Sequence, residues 1–202
     1  VAADITINEN RMDQIKELIS ISQYYGADSR FVIAGGGNTS WKNEEKIWVK
    51  ASGAALATIA EEGFAVLDRS LLAPMSEKVY SSDAAQREEE VKNDLAVATL
   101  TKEKRPSVET SMHNVIGYPF VVHLHPTIVN GLMCAQNAAK ELERLFGDKT
   151  LYVKYTDPGY LLFKKVYDKI KTYRETYRKE PQVIWLQNHG IFVAADTIGE
   201  IK

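Results

Sequence analysis

Phe120-Val121-Val122-His123-Leu124-His125 is the run on which the reading of this chain turns. Gly117-Tyr118-Pro119 leads the chain into it, and its β-branched and aromatic residues suit an extended strand. On such a strand, residues two apart share a face and lie about 6.5 Å apart along the chain. His123 and His125 meet that spacing, so their imidazoles can lean toward one ion. Val121, Val122 and Leu124 around them are apolar, which places two ring nitrogens close to the core with little water. A shared metal would accommodate both. Taken alone, the pair is better explained by two surface or hydrogen-bonded histidines than by a metal.

Working outward, Val183-Ile184-Trp185-Leu186 and Ile191-Phe192-Val193-Ala194 read as two strands hinged at Asn188-His189-Gly190, and Leu151-Tyr152-Val153 as a third. Phe31-Val32-Ile33-Ala34 and Ile47-Trp48-Val49-Lys50 read as strands joined by a glycine-rich polar connection. Helical spacing is expected over Asn10–Tyr25, with Met12, Ile15, Leu18, Ile19 and Ile21 as the apolar stripe and Gly26 as a left-handed cap. An acidic helix from Ser81-Ser82-Asp83 to about Leu100 turns Glu88, Glu89 and Glu90 to solvent, and a shorter one spans Ser107 to about Ile116. Further helices are expected over Asn130–Phe146 and Leu162–Lys179, and Asp196–Lys202 begins another. Irregular alternation of strands and helices with hairpin neighbours predicts an α/β three-layer sandwich with a largely antiparallel central sheet, one domain over residues 1–202.

Composition narrows the function. The 202 residues are 45% hydrophobic and 26% charged, enough for a full core. A net charge of -2 offers no positive excess to attract nucleic acid or an anionic membrane surface, so neither is expected as a partner. The single cysteine, Cys134, closes no intrachain disulfide and makes no thiolate-rich metal module. No apolar run approaches the roughly 20 residues of a membrane helix, and Val1-Ala2-Ala3-Asp4 has no basic segment followed by an apolar one. A cytoplasmic protein is expected. The start without Met suggests that a few residues were trimmed or that this is a piece of a longer chain.

The four histidines are His113, His123, His125 and His189. His189, followed by glycine at the tip of two strands, can swing toward the pair from another edge, although Asn-His-Gly is also an ordinary hairpin turn. Three imidazoles with one open position would match a catalytic zinc site. Glu109 lies in the first turn of its helix, where a carboxylate also suits the helix dipole. His113, four residues on, shares its face and is read as an orienting hydrogen-bond partner, not a ligand. Gly35-Gly36-Gly37-Asn38-Thr39-Ser40 offers backbone N–H, amide and hydroxyl groups to an anion. It matches neither the Walker loop nor the dinucleotide fingerprint, and a plain glycine-rich loop explains it as well. Ala51-Ser52-Gly53 is a second small-residue turn, and Ser107 at a helix start could add a contact.

In combination, Gly37-Asn38-Thr39-Ser40, Lys50-Ala51-Ser52-Gly53, Pro106-Ser107-Val108-Glu109, His123-Leu124-His125 and Asn188-His189-Gly190 resemble, in order, the motifs of the class II aldolase/adducin family. The resemblance runs from about Arg30 to Ala195. Ala57-Thr58-Ile59-Ala60-Glu61-Glu62-Gly63-Phe64, the long insert before Pro106, and Tyr155-Thr156-Asp157-Pro158-Gly159-Tyr160 look most like the aldolase half of bifunctional rhamnulose-1-phosphate aldolase/short-chain dehydrogenase proteins. The separation of 14 positions from Glu109 to His123 is shorter than in single-function members and favours the same branch.

This resemblance implies zinc, or another divalent cation, held by His123, His125 and His189, with Glu109 as the acid/base carboxylate and an additional ligand of the resting metal. It implies a sugar-phosphate substrate contacted by Gly37, Asn38, Ser52, Gly53 and Ser107, and a homo-tetramer in which Tyr155 serves a neighbouring subunit. Val108 stands where many single-function members have serine, so one phosphate contact would be missing. The implied reaction cleaves a ketose 1-phosphate to dihydroxyacetone phosphate and an aldehyde through a metal-stabilised enediolate, with Glu109 tuned upward toward neutrality. Sugar-phosphate 4-epimerases, dehydratases and adducin-like scaffolds belong to the same family, and a purely structural metal is a further alternative. Lys50 and Lys154 lie near these motifs and are assigned no covalent role.

Overall fold

One place from the centre of the sheet lies a strand with almost no hydrophobic pattern, β1 (Asn38–Lys42), all five residues of which are buried. A computed structural model describes the backbone of residues 2–202 and the side chains from residue 11 onward; Val1 and the side chains of the opening residues, including those of Val1-Ala2-Ala3-Asp4, lie outside the described residues. Strand β1 pairs antiparallel with β2 (Lys46–Lys50) on one side and with β4 (Phe120–Leu124) on the other. Adding β3 (Phe64–Asp68), β5 (Leu151–Val153), β6 (Val183–Leu186) and β7 (Gly190–Ala195) gives a seven-stranded sheet in the order β3-β2-β1-β4-β7-β6-β5. Only the β5–β6 pair is parallel. The largely antiparallel expectation holds.

Helices cover both faces. On one side α1 (Ala2–Gly26) buries Ile15, Leu18, Ile21 and Tyr25 against Trp41, Trp48, Phe120 and Leu124. Next to it, α5 (Thr127–Met133) and α6 (Ala138–Phe146) pack Met133, Ala138 and Leu142 on Trp185 and Ile191. The short α8 (Ile198–Ile201) joins this layer through Ile201. On the opposite face, α4 (Thr110–Val115) and α7 (Tyr160–Tyr177) share a core with Val121, Ile184, Leu186 and Phe192. There too, α2 (Arg69–Leu72) and α3 (Ala84–Ala98) cover Ile47, Val49, Ala65 and Leu67. Because side chains alternate along each strand, β1 sends Thr39 and Trp41 to the first face and Asn38, Ser40 and Lys42 to the second.

Several local expectations are corrected. Phe31-Val32-Ile33-Ala34 is not a strand: the N–H groups of Phe31 and Val32 both fold back on the Asp28 carbonyl, and Ala34 takes a left-handed φ of 54°. The single helix over Asn130–Phe146 is broken between Met133 and Ala138, so that α5 and α6 approach Trp185 and Ile191 from two directions. Met12 is exposed, not part of the buried stripe. Gly26 ends α1 without a positive φ. Its need for glycine is spatial, since a Cβ there would sit 2.3 Å from the Ala57 nitrogen. Glu88 is not merely solvent-facing: its carboxylate accepts the Tyr160 N–H at the start of α7. Among the described residues, no helix is long and apolar enough to cross a membrane.

Candidate active site

The site is assembled where β4, the β6–β7 hairpin and the start of α4 meet. Along β4, His123 is fully buried and stacks on Phe192 of β7 with ring centroids 4.2 Å apart. Its Nδ1–H donates to the Ile191 carbonyl at 3.0 Å, which leaves Nε2 facing the cavity. His125, two residues on, brings its Nε2 to 3.0 Å from that atom. His189 enters from the turn between β6 and β7, after Asn188 in left-handed geometry at φ 57°, a conformation asparagine tolerates. Gly190 lets the turn close in, since a Cβ there would lie 2.4 Å from the Leu124 carbonyl oxygen and 2.6 Å from His125. One donor nitrogen from each of the three imidazoles lies within 4.8 Å of the others.

Glu109 precedes α4 and its carboxylate does not cap the helix. It turns inward instead, with Oε1 3.2 Å from His123 Nε2 and 3.3 Å from His189 Nε2. Its other oxygen accepts Asn38 Nδ2–H at 2.6 Å. Since that bond fixes the amide, Asn38 Oδ1 faces His113 and accepts from His113 Nε2–H, while His113 Nδ1 accepts the Ser40 hydroxyl at 2.7 Å. A chain of bonds thus runs from Ser40 through His113 and Asn38 to Glu109. The orienting role read for His113 matches this geometry, and Ser40 is the member the sequence reading missed. Alternation along β1 is the signal that pairs it with Asn38.

Burial would push the Glu109 carboxyl up, but the charge and hydrogen bond of His123, with the bonds from His189 and Asn38, hold it well below the usual range. That reverses the upward tuning expected from sequence. Burial, followed by the charges of His123 and His189, pushes His125 down to about 4, so its lone pair is free at neutral pH. His113 is likewise driven far down by its complete burial and is a neutral donor and acceptor. With His123 Nε2, His125 Nε2 and Glu109 Oε1 this close, the electron-rich atoms repel unless a positive charge lies among them. A bridging proton or a divalent cation supplies one, and nitrogen and carboxylate donors suit zinc. His189 Nδ1 is buried without a partner.

The other predicted residues divide. Ser107 accepts from the Glu109 N–H at 3.2 Å and from Asn38 Nδ2 at 3.4 Å. Ser52 donates to the Pro106 carbonyl at 3.2 Å, so the Ser52-Gly53 turn stands beside Ser107. Gly37 immediately precedes Asn38, and a Cβ there would sit 2.9 Å from the His123 carbonyl oxygen. Tyr155 is not gathered in: half exposed, its hydroxyl donates to Asp157 at 3.0 Å and makes no bond to the groups above. A cleft of about 630 Å³ between α3, the Lys102–Pro106 segment and α7 contains none of the imidazoles.

The description "Class II Aldolase and Adducin N-terminal domain" matches residues 16–202. The chain belongs to this family. Among solved structures, the N-terminal class II aldolase domain of a conserved protein from Thermoplasma acidophilum is 27% identical, with 91% of this chain and 84% of that chain covered at a TM-score of 0.76. An L-fuculose 1-phosphate aldolase shares the fold at 18% identity, with 92% and 76% covered and a TM-score of 0.58. A curated relative named as an uncharacterized oxidoreductase, YuxG of Bacillus subtilis (strain 168), is 28% identical over 193 residues, 91% of this chain. The chain spans only 27% of that relative's length.

Proposed function

We propose that this domain is a zinc-dependent aldolase that cleaves a ketose 1-phosphate of the rhamnulose-1-phosphate type to dihydroxyacetone phosphate and an aldehyde. The observation that carries the reading is the convergence of three imidazoles, whose donor nitrogens lie within 4.8 Å of one another, with Glu109 Oε1 at 3.2 and 3.3 Å from two of them, His123 and His189. His123, His125 and His189 would hold the ion, and Glu109 would coordinate it at rest. When bound, the divalent ion supplies Lewis-acid polarisation of the ketose oxygens, which carry the charge released when the carbon–carbon bond breaks.

The chain's own residues supply the rest. In cleavage, a proton leaves the hydroxyl of the carbon that becomes the aldehyde, the neighbouring carbon–carbon bond breaks, and the new carbanion carbon is later reprotonated. Glu109 is held ionised by the charge and hydrogen bond of His123 and by the bonds from His189 and Asn38, so its carboxylate is unprotonated at neutral pH and is the group placed to take the proton. Asn38 keeps that carboxylate aimed, and His113 with Ser40 keeps Asn38 aimed. Gly37, Asn38, Ser52, Gly53 and Ser107 would receive the phosphate end. Tyr155, free of the site in its own chain, would serve the site of a neighbouring copy in a homo-tetramer. We further read residues 1–202 as one domain of a longer cytoplasmic protein with a short-chain dehydrogenase half; the oxidoreductase name of the longer relative supports this.

The test is cleavage of ketose 1-phosphates with and without chelator, with products separated by mass. Formation of an aldehyde and a three-carbon ketone phosphate that stops on chelation supports the reading. Conversion at constant mass would point to epimerisation instead.

A further inference from the structure

Between the helix that Glu109 opens and the strand that carries His123, the chain turns through Gly117-Tyr118-Pro119. The angle of that joint sets how far the carboxylate stands from the imidazoles. Helix α4 has only six residues, too few to be stable by itself, so it takes its place from whatever grips its two ends. Asn38 and Ser40 grip the first, through the Glu109 carboxylate and the His113 ring.

Lys42 grips the second. It follows Asn38 and Ser40 on the same face of β1 and is 5% exposed. Its ammonium donates to the His113 carbonyl of α4 at 2.8 Å and to the Tyr118 carbonyl in the turn, and its backbone N–H donates to the Pro119 carbonyl at 3.0 Å. The His113 carbonyl is one of those that the last turn of a helix leaves open, and a cation suits that end. Arg174 of α7 takes the Val115 carbonyl in the same way, at 2.9 Å. Three alternate side chains of β1 therefore hold one short helix, and of the three Lys42 also bonds the turn into β4. Among the described residues its ammonium forms no ion pair. A buried charge of this kind is expensive to desolvate, and an apolar side chain of similar volume often serves stability as well or better. What the ammonium adds is direction, two bonds that span the joint.

We propose that Lys42 is a positioning residue of this site: by tying the end of α4 to the turn that enters β4, it fixes the His113 ring and holds the Glu109 carboxylate against His123 and His189. Lys42 itself touches neither substrate nor ion. The consequence for metal binding rests on the proposed function, whereas the placement of His113 does not.

Two measurements on Lys42→Met test it. Nitrogen NMR of the metal-free chain at neutral pH should show His113 of the wild type as one neutral tautomer, protonated at Nε2, as its bonds to Asn38 and Ser40 require. In Lys42→Met a mixture of the two tautomers is expected. Zinc calorimetry on Lys42→Met, Glu109→Gln and the double variant should show zinc binding weakened about tenfold by Lys42→Met alone. In the Glu109→Gln background the same substitution should change it by less than about twofold, because the imidazoles stand on β4 and the β6–β7 hairpin and not on α4. A lysine with a merely structural role would cost the same in both backgrounds. Should Lys42→Met fail to fold by circular dichroism, Lys42→Gln, which keeps a buried donor on a shorter stem, replaces it. An unchanged His113 tautomer overturns the proposal, and so does an equal loss of zinc affinity, or none, in the two backgrounds of a chain that binds zinc. A mixed tautomer in the variant keeps this inference even where the wild type takes up no zinc or cleaves no ketose 1-phosphate, outcomes that sink the aldolase reading instead.

Discussion

Toward α1 the sheet presents Trp41, Trp48, Phe120 and Leu124, all buried and apolar. Toward α4 the same strands present Asn38, Ser40, Lys42 and His123, buried just as deeply and polar. The first face gains stability from area removed from water, which tolerates many side chains of similar volume. The polar patch on the second face, set among apolar neighbours such as Val121 and Phe192, gains little from area and depends on matched partners: nearly every donor meets an acceptor, and each lost member strands another. Stability should therefore be concentrated on one face of β1 and function on the other.

The largest expected effect falls on the polar face. Glu109→Gln keeps the shape of the side chain and removes the proton acceptor, so kcat for cleavage should fall about 10²- to 10⁴-fold with a melting temperature close to wild type. A matching collapse in stability would mean the carboxylate is structural. Trp48→Ala breaks the apolar face. It strips the partner of Trp41, whose ring centroid lies 4.8 Å away, and should cost about 3–5 kcal/mol in denaturant unfolding. The activity per folded molecule should be preserved.

His113→Phe sharpens the comparison by keeping a buried ring while stranding Asn38 Oδ1 and the Ser40 hydroxyl. A loss of about 1–3 kcal/mol is expected, together with lower kcat as Asn38 loses its fixed orientation; His113→Gln should restore part of the kcat. The smallest effect concerns Lys42. Burial, then the charge of Arg69, hold its pKa well below 10.5, so the unfolded chain binds this proton more tightly. Stability should rise with pH between the depressed folded value and 10.5, and gain nothing from this group above it. Urea unfolding at two pH values within that window should show a flatter slope for Lys42→Met than for wild type.

The same division explains what was legible in the sequence. Strands that bury apolar residues, such as Ile47–Lys50, Phe120–Leu124 and Val183–Leu186, announce themselves through hydrophobic, β-branched runs. Strand β1 does not, because Asn38-Thr39-Ser40-Trp41-Lys42 is buried through hydrogen bonds, and its partners Glu109, His113 and Ser22 lie far off in sequence. Phe31–Ala34 shows the converse: an apolar run that local bonding to Asp28 turns into a loop. Spacing alone suggested that His123 and His125 meet, whereas the approach of His189 and Glu109 depends on a hairpin and a helix start that only the fold brings together. The direction of the Glu109 pKa was misread for the same reason, since burial was visible in prospect but its three hydrogen-bonding partners were not.

Zinc titration of the metal-free chain by calorimetry, repeated on His123→Ala, His125→Ala and His189→Ala, goes most directly to the centre of this account. We predict one zinc per wild-type chain, and losses in affinity beyond about 100-fold in each variant, the upper range for losing a mere supporting partner. A wild-type chain that takes up no zinc, or variants that bind it as well as wild type does, would contradict it.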